Sequence, residues 1–558
     1  MKTQFLQRFL LVIGAFAMIS LLAEVKPVRF GIITDTHIDN RKESVDLCKK
    51  AFQFFKTQEV DAVVHVGDLA ERSSPDGYAY YRQAFQETFG ENPPKAFYVF
   101  AMHDTNNVPA GKEAAFAIFR EKLGFEHDLC LSTELGGYPV IIVPQYVEMG
   151  KLESMLQEAR KSHPQKPILL FDHFPALDTV DNSVMWGDEA RRILLNQYPE
   201  VIQISGHIHG SLRNEGNIWQ GEFTAVNAGG LSTWSGLAPG TSAAGVMNYG
   251  ALVLELYPEK ALFRRFDVRT GEEYRADAPW CVPLPFVSAT APYRPEIRYS
   301  REATVAPFFG ETSELGIDFV GTPCQKVTLS IPEATGGDTV FYYWVDLEEM
   351  NTKGKFVPIT RRGIRGNFHL PPNDRPETLS TDFCRGYFDA GKNYRFTVTP
   401  ESFYHQFGKA LTTEFSMPAM VEDQVVFLSE NPMTELPFTN WSQEKTFAPE
   451  GNHYHIKDHG MLTIPDCFAN APANAKFRIT LDFQVTAKKP YFWTIELHCL
   501  NPHEALFWRT TVPLNHFEPQ RLAWEFTNKT KRPPNLLFYN GVEGNLIFHK
   551  VKIQQLED

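Results

Sequence analysis

Five short polar clusters stand in the first half of the chain, each at the end of an apolar run: Thr34-Asp35-Thr36-His37, Gly67-Asp68-Leu69, Met102-His103-Asp104, Asp172-His173-Phe174-Pro175 and Gly206-His207-Ile208-His209. Hydrophobic strands that end in Asp and His set those side chains along one rim of a sheet, where loops can converge on a ligand. Carboxylates and imidazoles on such a rim form a metal site by preference. With no cysteine among them, they suit divalent Mn, Fe or Zn better than the all-oxygen sites of Mg or Ca. Six candidate ligands exceed what one ion commonly needs. Two ions roughly 3.5–4 Å apart, bridged by a carboxylate, would absorb them and activate a water for in-line attack on phosphorus. Asp68 is the natural bridge. Any one cluster by itself would more often be a hydrogen-bonded structural group, so the ordered set of five carries the argument.

The elements that must hold these clusters alternate in period. Short apolar runs predict strands over Val28–Thr34, Ala62–Val66, Ala96–Phe100, Val140–Val143, Ile168–Phe171 and Val201–Ile204. Between them, helical spacing predicts amphipathic helices over Glu43–Lys56, Tyr78–Phe89, Lys112–Leu123, Leu152–Ser162 and Glu189–Leu195. This is the pattern of an α/β layered domain. A proline-rich stretch, Ala276–Pro295, reads as a linker leaving that unit. Beyond it the helical periods fade, and alternating strands separated by Gly, Pro, Asn and Asp turns predict a fibronectin-III-like β-sandwich over 296–419 and a jelly-roll-like one over 421–558. The first domain is expected over 24–275, after an export signal at 1–23.

Asp35-x-His37, Gly67-Asp68, His103-Asp104, His173 and Gly206-His207-x-His209 resemble the calcineurin-like metallophosphoesterase family over roughly residues 28–270. The resemblance implies a four-layer α/β/β/α sandwich with a dinuclear site on the strand-end loops. It assigns Asp35, His37 and His209 to one metal and His173 and His207 to the other, with Asp68 shared. It makes His103 a catalytic residue that protonates the leaving oxygen or stabilises transition-state charge. Asp104 would accept a hydrogen bond from His103 and fix its tautomer. One departure stands out: the family has Gly-Asn before this histidine, the Asn ligating the second metal, whereas this chain has Ala101-Met102. A thioether is a weak ligand for Mn or Fe, so the second ion is expected to bind loosely unless Asn106, Asn107, Asp172 or, preferred, water fills the place.

Composition narrows the partners. Lys2 and Arg8 flank the apolar run Phe9–Leu22, an export signal too short for the roughly 20 residues of a membrane span, which predicts a secreted or periplasmic protein with no span after signal removal. Removing those two cations takes the formal charge from −13 to −15, which disfavours nucleic acid as a partner. Cys324 and Cys384 could pair in an oxidising compartment. Trp441, Tyr491, Phe492, Trp493, Phe507, Trp508 and Trp524 in the last segment either fill a core, the commoner use, or stack on sugars, and the second use would bring a glycan or cell-surface partner. His453, His455 and His459 read as part of a surface strand. The expected activity is metal-dependent hydrolysis of a phosphoric ester, with a phosphomonoester or phosphodiester as substrate. The competing expectation, resting on Met102, is a degenerate, non-catalytic metal- or phosphate-binding protein.

Overall fold

The computed structural model describes residues 26–38, 42–105, 108–181, 183–231, 249–299, 306–336, 339–370 and 375–420, followed by separate strand segments between 425 and 556. The proposed export segment lies outside the described residues, among which no helix is long and apolar enough to cross a membrane.

The first domain is built on two sheets. Strands β1 (Val28–Ile33), β2 (Ala62–His65) and β3 (Lys95–Tyr98) run parallel in one. The other follows the order β4 (Leu131–Leu135), β5 (Tyr138–Ile142), β6 (Ile168–Phe171), β7 (Val201–Ser205), β9 (Thr224–Asn227), β8 (Ile218–Gln220), with β5, β6, β7 and β9 parallel. The chain then returns to the first sheet as β10 (Gly250–Tyr257) antiparallel to β1, followed by β11 (Lys260–Asp267), β12 (Glu272–Tyr274) and β13 (Trp280–Pro283).

Strand alternation explains the layering. Phe30, Ile32, Val64 and Val66 of the first sheet pack against Val140, Ile142, Phe171, Ile202 and Ile204 of the second. The opposite parity, Ile33 and Val63, meets Phe52, Phe55, Tyr81 and Phe119 from the helices Lys42–Thr57, Pro75–Phe89 and Lys112–Leu123. On the far side, Ile141, Leu170 and Val201 meet Leu152, Leu156, Leu194 and Leu195 of the helices Met149–Ser162 and Glu189–Leu195. The result is the expected α/β/β/α sandwich. The second helix begins at Pro75, earlier than its apolar spacing predicts, because Ser74 caps the Gly77 amide and proline suits the first turn.

The stretch read as a linker is packed against the first domain. Strand β13 pairs with β11, Trp280 is 1 % exposed, and its indole nitrogen donates to Glu215. The helix Pro295–Tyr299 sends Arg298 under the same domain, where it donates to the carbonyls of Glu215 and Ile218.

Further β-rich sheets follow. Strands β14 (Gly316–Val320), β15 (Lys326–Pro332) and β18 (Thr378–Cys384) form one layer. Across a core containing Leu329, Phe383, Val345 and Phe396 lie β16 (Val340–Met350), β17 (Phe356–Arg365), β19 (Asn393–Ser402) and β20 (Leu411–Ser416). This second layer does not close on itself: β17 pairs with Glu504–Val512, so the sheet continues into the last segment. The two sandwiches expected as separate units thus share a sheet, because β17 would otherwise be an open edge. Contact with the first domain includes an ion pair of 2.6 Å between Arg365 and Asp181. Cys324 and Cys384 are free thiols. Trp524 is buried and unavailable as a sugar platform. The side chains of Trp441, Tyr491, Phe492, Trp493, Phe507, Trp508, His453, His455 and His459 lie outside the described residues.

Candidate metal centre

All five polar clusters leave the C-terminal ends of parallel strands, so the twin sheets deliver them to one rim. Backbone bonds stitch the loops together: Asp35 N donates to Gly67 O, His37 N to Asp68 O, and Gly206 N to His173 O, each at 3.1 Å. The glycines are there for closeness. A Cβ on Gly206 would lie 2.2 Å from Thr34 Oγ1, and one on Gly67 would lie 2.5 Å from His173 Nδ1.

Three overlapping groups of ligand atoms result: Asp35, His37 and His209; His37, Asp68 and His103; and Asp68, His173 and His207. His209 Nε2 lies 3.1 Å from Asp35 Oδ1, and His173 Nε2 lies 3.0 Å from Asp68 Oδ2. His37 Nε2 is 3.3 Å from His209 Nε2 and 4.0 Å from Asp68 Oδ2. Five of the six predicted ligands, Asp35, His37, Asp68, His207 and His209, have φ between 41° and 72°. Left-handed backbone costs about 1–2 kcal/mol at a residue with a Cβ, so the fold spends stability to aim these side chains.

The electrostatics ask for a cation. Asp35 and Asp68 are 0 % and 1 % exposed. Burial resists their charge, yet the facing histidines hold both carboxyls well below the usual range, His209 and His173 for Asp35 and His173 for Asp68. Burial pushes His37 down, but Asp35 and Glu71 outweigh it and raise the imidazole to about 10. His173 is raised to about 9 by Asp68 and Asp35 against the same penalty. His173 Nδ1 donates to Val66 O at 2.8 Å, which leaves Nε2 to face the carboxylates. That Nε2 and Asp35 Oδ1 are buried without a hydrogen bond among the described residues. A potential that would protonate two buried imidazoles is equally suited to divalent ions, and these orphaned donors fit them. His207, pushed down to about 3 by burial and by His173, stays neutral as a ligand must.

Residues 28–211 match the sequence profile of the family described as calcineurin-like phosphoesterase. The first domain belongs to that family. No curated protein matches the chain by sequence. Among solved structures, a dimetal phosphatase from Danio rerio is similar over 47 % of this chain and 100 % of its own, at 12 % identity and a TM-score of 0.35. Purple acid phosphatase PPD1 from yellow lupin seeds is similar over 45 % of this chain and 53 % of its own, at 14 % identity and a TM-score of 0.34. The C-terminal CBM6 of a laminarinase from Zobellia galactanivorans is similar over 23 % of this chain and 100 % of its own, at 9 % identity and a TM-score of 0.17. Scores this low carry no weight on activity.

Within the phosphoesterase domain, two sequence expectations need correction. Asp104 is no partner of His103. Its carboxylate accepts from the Ala70 and Ala101 amides and the Tyr78 hydroxyl, clamping the loops after β2 and β3 together. The carboxylate facing His103 is Glu71, whose Oε2 hydrogen-bonds His37 Nδ1 at 2.9 Å and approaches His103 Nδ1 to 3.0 Å without hydrogen-bond geometry. Asp172 is not available as the missing ligand, because it is buried against the Arg191 guanidinium. Asn106 and Asn107 lie outside the described residues.

Three further residues border the site. His65 is a core histidine whose Nε2 lies 2.9 Å from the Thr36 hydroxyl and whose Nδ1 has no hydrogen bond among the described residues; burial pushes it down to about 3. The Arg72 side chain is 74 % exposed. Asn227 braces the rim by donating to Gly206 O at 2.6 Å, while its own Oδ1 accepts from Gly229 N.

Proposed function

We propose that the chain is an exported, metal-dependent hydrolase of a phosphomonoester or phosphodiester. The observation that carries this reading is the set of overlapping ligand groups joined through His37 and Asp68, with His103 at their edge and 27 % of its side chain exposed. Asp35, His37 and His209 would hold one ion, His173 and His207 the other, and Asp68 both. Bound there, two ions of Mn, Fe or Zn would activate a water and neutralise phosphoryl oxygens.

The chain's own groups supply the rest. Glu71 faces the Nδ1 side of His103, which leaves Nε2 for the leaving-group oxygen. Glu71 also meets His37 Nδ1, so a ligand and the acid share one orienting carboxylate. Asp104 and Asn227 keep the loops in register. Export is supported by the charged and apolar halves of residues 1–23, and a glycan or cell-surface partner by the aromatic content of the last segment.

The deciding experiment is hydrolysis of para-nitrophenyl phosphate and bis-para-nitrophenyl phosphate by metal-free protein and by protein supplied with Mn, Zn, Fe or Mg, with Asp68→Ala in parallel. Metal-dependent turnover that Asp68→Ala abolishes supports the hydrolase and reports the ester class. Metal binding without turnover would favour the binding-protein reading that Met102 motivates.

A further inference from the structure

We infer that Gln145 supplies the carboxamide ligand of the second ion, in place of the asparagine that Met102 displaces. The inference rests on the two-ion reading above. Gln145 is 1 % exposed, yet neither Oε1 nor Nε2 of its side chain has a hydrogen-bond partner among the described residues. Asn217, Asn367 and Gln520 each leave one amide atom unpaired, but Gln145 leaves both, and burying an amide so fully without a partner is costly.

The backbone of Gln145 shows which partner is near. Its N–H donates to Phe100 O at 3.0 Å, two residues before Met102. Its carbonyl accepts from Arg191, the same guanidinium that holds Asp172, the neighbour of His173. Val143 N donates to Phe171 O at 3.2 Å, so this loop follows the end of β6. Residue 145 therefore bridges the two sheets between the loop of His103 and the loop of His173. Tyr146, next in the chain, is hydrogen-bonded to Thr105 and close enough to feel the charge of Asp68.

Chemistry favours the same assignment. An amide oxygen is a hard, neutral donor suited to Mn, Fe or Zn, unlike the Met102 thioether. It adds no negative charge beside Asp35, Asp68 and Glu71. Asp172 cannot serve, being neutralised by Arg191.

The test is Mn binding by the full chain, measured by titration calorimetry and by metal content after dialysis, together with thermal unfolding in chelator. Wild type is expected to take two ions per chain. Gln145→Leu, similar in volume but apolar, should keep one ion and weaken the other about 10–100-fold. In chelator it should unfold no earlier than wild type, because the unpaired amide is gone. Adding Met102→Asn to Gln145→Leu should restore the second ion. Gln145→Glu covers the case in which the apolar variant fails to fold, and should bind the second ion more tightly.

Two ions bound with unchanged affinity by Gln145→Leu would overturn the inference, as would unchanged affinity in Gln145→Glu. So would a loss of metal-free stability with unchanged metal content, which would mark a merely structural amide. A wild-type chain that takes fewer than two ions would instead sink the two-ion reading itself.

Discussion

Two clusters of buried charge lie in the same domain and behave as opposites. Around Glu215, both carboxylate oxygens have a donor: Arg265 on Oε1 and the Trp280 indole on Oε2, each at 2.8 Å. The arginines spend further hydrogens on the carbonyls of Leu212 and Ile218, although Arg265 Nε and Nη2 and Arg298 Nε have no hydrogen bond among the described residues. At the rim, carboxylates face imidazoles and one another, and the backbone is left-handed at most of the predicted ligands. The first cluster sets permanent cations against its carboxylate, while the second relies on imidazoles that are charged only when protonated, a place that an added cation would take. Burial of charge alone is thus a poor sign of a site. Asp172 makes the point at closest range, since it adjoins His173 yet belongs with the arginine-paired kind.

Mutations can break this comparison. The largest effect is expected at Asp68: Asp68→Ala should lower Mn-dependent turnover by at least about a thousandfold. Its unfolding temperature in chelator should fall less than that of Glu215→Ala, because Asp68 faces a second buried carboxylate, Asp35, and imidazoles that can give up their protons when it is removed. An equal or larger fall would contradict the contrast.

Glu215→Ala should do the reverse. It strands Arg265 and Arg298 and should cost about 3–5 kcal/mol in urea unfolding, with turnover per folded molecule kept. Glu71→Gln comes next, with turnover lowered about 10–100-fold as His103 loses its orienting carboxylate. An unchanged kcat would remove Glu71 from the site.

The smallest effect is in the acid limb of stability. Burial opposes the Glu215 charge, but Arg265 and Arg298 prevail and hold its folded pKa below 4.5. A depressed folded pKa means that its contribution is fully present above the ordinary value and is lost as pH falls through the folded one. Urea midpoints followed downward from pH 5 should therefore fall more steeply in wild type than in Glu215→Gln. Parallel curves would show that the cluster does not titrate with folding.

What could be read from the residues follows the range of the forces involved. Strand alternation is local, so the sheet-end placement of Asp35, Asp68, His173 and His207 was legible, as was the layering it produces. The carboxylate facing His103 was not. Adjacency suggested Asp104, but that carboxylate turns to the Ala70 and Ala101 amides, and Glu71 is brought in by a left-handed turn at Arg72 with φ 54°. Glu71 lies three positions after Asp68, the only hint the chain offered. Gln145 reaches the rim from the other sheet, and a lone glutamine in a loop has no signature of its own. The prolines of 276–295 signalled a break in helical structure but could not tell a free tether from a strand bound to β11.

The pairing of β17 with Glu504–Val512 also bears on how the chain can be cut. Ending it near residue 420 would remove the strand that meets β17 at Gly363 and leave that edge as an unprotected seam. Such a seam recruits strands from other copies, so the shortened protein should clump with time even where its metal centre is intact.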